Sequence, residues 1–155
     1  ETCEKANSFN IEGATLIDNY VWIGLRSPQI IWNGKSYTLL MRLKNLEQLK
    51  FDKIVLLDLG GRGIRELKSD TDFLIGIAGG PEDEKDNFVL WKLPISDFRS
   101  EIVHKPMILT DLPKSSEGFV ILDTSIIVLI DGDKGDSSCK KPGKFLQLIK
   151  KRNGL

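Results

Sequence analysis

Charged side chains recur at corresponding points of three apolar segments. Glu12 and Arg26 bracket "IEGATLIDNYVWIGLRSP". Arg65 and Glu66 open "IRELKSDTDFLIGIAGGP", shortly after Arg62. Glu117 opens "SEGFVILDTSIIVLIDGD", which closes on Asp131 and Asp133. Carboxylates gathered at one place suit a hard cation such as Ca²⁺ or Mg²⁺, and guanidinium forks suit carboxylate or phosphate groups. The candidate ligand-binding residues are therefore Glu12, Arg26, Arg62, Arg65, Glu66 and Glu117. The candidate metal ligands are Glu12, Glu117, Asp131 and Asp133. No residue is assigned a catalytic role from the sequence.

These residues need elements that carry them to one place, and the segments themselves supply the clue. A shift of 53 positions lays Ile11 on Ile64, Val21 on Leu74 and Pro28 on Pro81, and a further 52 brings Ile64 to Ser116. Each copy has two short apolar runs around a polar turn, at Asp18-Asn19, Thr71-Asp72 and Asp123-Thr124. A repeat of this length marks a solenoid, a propeller or an array.

Further strands are expected at Ser36–Leu43 and Lys53–Leu59, at Asn87–Leu93 and Met107–Thr110, and at Lys144–Lys150. Helical spacing is conceded only at Leu43–Leu49 and Phe145–Ile149. Several strands, Tyr20–Leu25 among them, are apolar on both faces, as strands buried on both sides are. Sheets stacked around an axis bury both faces, whereas a β-sandwich would leave one face of each polar. The expectation is a single all-β domain over residues 1–155: about three four-stranded propeller blades, roughly 11–59, 64–110 and 116–151, forming half of a six- or seven-bladed ring.

In such a blade, antiparallel pairing sets the start of the first strand beside the end of the second. Glu12 then faces Leu25 or Arg26, Arg65 and Glu66 face Ile77 and Gly76, and Glu117 faces Ile130 or Asp131. The charged residues would collar one mouth of a central channel. Paired charges that tie blades together fit the same pattern.

"FNIEG", "GLRSP", "LDLGGRGIRE", "AGGP" and "SEG", in this order, resemble an uncharacterised bacterial β-propeller family known only as a domain of unknown function. The likeness runs from about Phe9 to Asp131 and is to the C-terminal half of that family. It implies a partner: the N-terminal half as a second chain, or failing that a second copy. Where the family commonly has a His before the third "EG", this chain has Ser116. More distantly, an "EG" opening an inner strand resembles phytase-like and lactonase-like propellers, in which such acids can hold a metal. The function expected is binding of a small polar ligand or cation at the charged mouth, or a scaffold role. The alternative is a metal-dependent hydrolase of phosphoester or lactone type.

Other features read more plainly. "DGDKGD" puts Gly135 where a calcium loop needs a ligand, so it reads as a solvated acidic turn. His104 stands alone in a polar connection and reads as a surface or interface residue. Gly60, Gly61 and Gly63 read as turn residues, and no nucleotide-binding glycine motif is present. The lysines of "KKPGKFLQLIKKR" flank an outer strand, where they discourage aggregation.

Lys and Arg number 22, as do Asp and Glu, so nothing asks for a nucleic acid. No run reaches membrane-spanning length, which predicts a soluble chain without a span. Glu1 stands without an initiator Met or an apolar leader, as expected of a processed chain. Cys3 and Cys139 are either free thiols or a single bridge, and a bridge would favour a periplasmic or secreted location.

Overall fold

The computed structural model describes residues 9–80, 87–99, 102–132 and 143–149. The fold is all-β, with the short 3-10 turn Ile95–Arg99 the sole helical element among the described residues.

The first sheet begins with the hairpin β1 (Asn10–Ile17) and β2 (Tyr20–Ser27). Asp18 and Asn19 join them with φ of 51° and 64°, the left-handed pair whose twist matches that of the flanking strands. After β3 (Ile30–Trp32) come β4 (Lys35–Asn45) and β5 (Lys50–Leu57), giving the order β1-β2-β4-β5, with β3 folded onto β4. The second sheet follows the same plan with β6 (Gly63–Asp70), β7 (Phe73–Gly79) and β8 (Phe88–Pro94). Between β8 and the last strand of that sheet, β9 (Val103–His104) returns to pair parallel with β5 of the first sheet. β10 (Met107–Leu112) then completes the second sheet against β8. The third sheet is β11 (Ser116–Ile121), β12 (Ser125–Ile130) and β13 (Lys144–Ile149).

Period-two alternation decides how the sheets stack. In the second sheet Leu74, Ala78, Val89, Trp91 and Leu93 pack with Trp22, Leu40, Val55 and Leu57 of the first sheet. The intervening residues Ile75, Ile77, Phe88 and Leu90 pack with Phe119, Ile126 and Val128 of the third. The middle sheet is thus buried on both faces, and each fully buried Leu or Ile contributes about 1.5–3 kcal/mol.

Close approach of the first two sheets depends on glycine. Gly13 and Gly24 face each other across β1 and β2, and a Cβ on either would lie within 2.8 Å of Ile64 and within 2.8 Å of Leu67. Their missing side chains form the hollow that receives β6. A Cβ on Gly63 would lie 2.1 Å from the carbonyl oxygen of Arg26, so the backbones themselves touch there.

Some expectations need correction. Neither conceded helix forms: Leu43–Asn45 ends β4 and a turn follows to Leu49, while Phe145–Ile149 lies in β13. The strand β3 replaces what reads as a loop, because Asn33 and Gly34, with φ of 50° and 73°, make a second tight hairpin turn. His104 is buried, not at the surface, since the β9 bridge folds it under Phe98, with ring centres 6.1 Å apart. Cys3, Cys139 and all of "DGDKGD" beyond Gly132 lie outside the described residues.

Candidate functional site

The three inner hairpins share an irregularity. In each, one residue near the start of the first strand is extra to the pairing: Glu12 between Ile11↔Leu25 and Gly13↔Gly24, Arg65 between Ile64↔Ala78 and Glu66↔Ile77, and Glu117 between Ser116↔Ile130 and Gly118↔Leu129. A bulge re-aims its side chain and bends the strand at the sheet end. The bulges fall at the same step of each repeat, 53 and then 52 positions apart, and their residues run Glu, Arg, Glu.

The first two bulge residues meet. Arg65 Nη1 donates to Glu12 Oε2 at 3.2 Å, across the junction of the first and second sheets. Arg26, extra to the pairing on β2, donates from Nη1 to Glu12 Oε1 at 2.9 Å, and Asn10 Nδ2 reaches the same oxygen at 3.1 Å. Arg65 also donates from Nη2 to the Gly80 carbonyl at 2.9 Å, and its guanidinium lies 5.2 Å over the ring of Phe88. The Arg65 side chain is 2% exposed and that of Glu12 25%. A guanidinium this deep needs its carboxylate, because an uncompensated buried charge is strongly destabilising. Both oxygens of Glu12 accept hydrogen bonds from cations, so a metal ion there would compete with two guanidiniums.

The remaining candidates are placed elsewhere. Arg62 donates to the carbonyls of Asn87 at 2.7 Å and Leu59 at 3.0 Å, pinning the loop between sheets. Glu66 turns to Lys68 at 3.6 Å. Glu117 and Asp131 are exposed at the rim of the third sheet, and Asp131 follows β12 at the step that Arg26 occupies in β2. Among the described residues no group of three or more His, Cys, Asp or Glu side chains could hold a metal ion. Asp133 lies outside the described residues. Asn10 and Phe88 join the cluster without a signal in the sequence, since an amide and a ring are ordinary strand residues until their partners are known.

At the opposite end of the first sheet, Arg42 grips Asp52 with two parallel hydrogen bonds, Nε to Oδ1 at 2.8 Å and Nη2 to Oδ2 at 2.9 Å. That hydrogen bonding holds the Asp52 carboxyl below the usual carboxylate range and raises Arg42 further. The guanidinium also lies 4.5 Å over the ring of Tyr20.

Stacked antiparallel sheets with a charged cluster of bulge residues at one end define an all-β protein. The chain belongs to the family described as protein of unknown function (DUF3616), which it matches over residues 1–114. That span takes in the first two sheets and stops just past β10. No curated protein and no solved structure matches the chain. No helix among the described residues is long and apolar enough to cross a membrane.

Proposed function

We propose that the three sheets are consecutive blades of a β-propeller, completed by further blades, and that the protein is a binding scaffold. Its ligand is a small polar molecule held at the charged end of the inner strands. The observation that carries this reading is the Glu12–Arg26–Arg65 cluster, built from bulges that re-aim side chains at the sheet ends. Glu12 accepts from two guanidiniums there, and guanidinium forks suit an anionic group such as phosphate or a carboxylate.

Isothermal titration with inorganic phosphate, a dicarboxylate, Ca²⁺ and Mg²⁺ tests the reading. The anions are expected to bind, with affinity reduced about tenfold or more in Arg26→Ala, and the cations are not. Binding of Ca²⁺ or Mg²⁺ that is lost in Glu12→Gln would turn the reading toward a metal site.

A further inference from the structure

Two cations stand on a sheet face that is otherwise core. Trp22, Arg42 and Lys53 are direct cross-strand partners in β2, β4 and β5, so their side chains share one face of the first sheet. In the neighbouring row of that face the partners are Gly24, Leu40 and Val55, and the last two pack against the second sheet. Charge on a core-facing row departs from the packing pattern and marks this end of the sheet for another use.

The row borders a cleft of about 120 Å³. Its floor is apolar: Ile17, Trp22 and Phe98 are buried, and Ile95, from the same 3-10 turn as Phe98, packs against that core. The rings of Trp22 and Phe98 lie 5.2 Å apart. An apolar cavity of roughly 150 Å³ takes up one benzene molecule, so this floor suits one small ring or short branched chain.

Charged side chains of both signs surround the floor. The fork of Arg42 on Asp52 uses Nε and Nη2, which leaves Nη1 to donate to a ligand. That fork, and the stacking of the guanidinium 4.5 Å over Tyr20, fix its plane before any ligand arrives, which lowers the cost of binding. Lys53 donates from Nζ to the Phe98 carbonyl, and an ammonium carries two further donors. Asp18, exposed at the β1–β2 turn, brings a carboxylate to the same cleft. The strand order β1-β2-β4-β5 sets it on the other side of the floor from Lys53.

We propose that this cleft binds a free α-amino acid with an apolar side chain. Its carboxylate sits on Arg42 and Lys53, its ammonium on Asp18, and its side chain on the floor of Ile17, Trp22 and Phe98. An apolar bed with a few convergent polar groups is the general form of a small-molecule site. The cleft lies at the end of the first sheet away from the Glu12 cluster, so it stands apart from the ligand proposed there.

Heteronuclear NMR with L-leucine, read at the Trp22 indole and the amides of Ile95 and Phe98, tests the proposal. Saturable shifts are expected at all three. Isocaproate lacks the ammonium and isoamylamine lacks the carboxylate, and each should bind about tenfold or more weakly. Asp18 holds a φ of 51°, which Asn also tolerates. Asp18→Asn should therefore keep the turn, weaken L-leucine about tenfold and leave isocaproate unchanged. Lys53→Met, which retains the apolar stem, should weaken L-leucine and isocaproate alike. Arg26→Ala, at the other end of the sheet, should leave L-leucine binding as it is.

Trp22 signals that stay fixed at about 10 mM L-leucine, tenfold above a weak Kd of about 1 mM, would overturn the proposal. Isocaproate that binds as tightly as L-leucine and is indifferent to Asp18→Asn would overturn it too, because the ammonium would then have no partner. Loss of L-leucine binding in Arg26→Ala would move the ligand to the Glu12 cluster and leave the cleft without it.

Discussion

Glu12 and Arg65 stand 53 positions apart in the chain and 3.2 Å apart in space, each the extra residue of an equivalent bulge in neighbouring sheets. The repeat thus places opposite charges at one geometric position and turns them toward each other. Glu12→Gln should destabilise the fold by about 2–3 kcal/mol, less than for a fully buried pair, because Glu12 remains partly solvated. In urea unfolding, Glu12→Gln combined with Arg65→Met should cost less than the sum of the single changes by about 1 kcal/mol or more. Additive effects would show that the two side chains do not support one another.

Gly63 should tolerate no side chain. Its Cβ would meet the Arg26 carbonyl oxygen at 2.1 Å, and backbone cannot swing aside as the end of a side chain can. Gly63→Ala is expected to cost about 3 kcal/mol or more. Gly118, where the nearest contact of an added Cβ is 3.6 Å, is the control, with a change within about 0.5 kcal/mol. Thermal melts of the two variants make the comparison.

The Arg42–Asp52 pair should shape the acid limb of stability. Asp52 releases its proton more readily in the folded chain than in the unfolded one, where a carboxyl titrates near about 3.9. Its stabilisation is therefore complete above that pH and is lost as the pH falls through the lowered folded value. Asp52→Asn should lower the melting temperature slightly at neutral pH and leave it nearly unchanged near about pH 2, so that the fall between about pH 4 and pH 2 is flattened. An acid limb identical to the parent's would show that the pair contributes nothing.

Much of the fold was legible because three similar segments of the sequence share one register. Offsets of 53 and 52 lay β1 on β6 and β6 on β11, and the polar pairs at Asp18-Asn19, Thr71-Asp72 and Asp123-Thr124 mark all three turns. Pairing arithmetic also brings Glu12 beside Arg26. It cannot show the bulges, because one unpaired residue leaves no trace in spacing when every copy has it. The pairing of β5 with β9 was hidden for another reason. Only two residues, Val103 and His104, make it, too few for any periodicity. His104 consequently reads as a surface or interface residue until its neighbours are known.

That same short bridge sets what can be separated from what. Leu56 and Asp58 donate backbone hydrogen bonds to the carbonyls of Ile102 at 2.7 Å and His104 at 2.9 Å, so the edge of the first sheet is sealed by chain that belongs to the second. The first sheet is therefore not a self-sufficient module, and a gene duplication or recombination that moved it alone would carry it away with an open seam along β5.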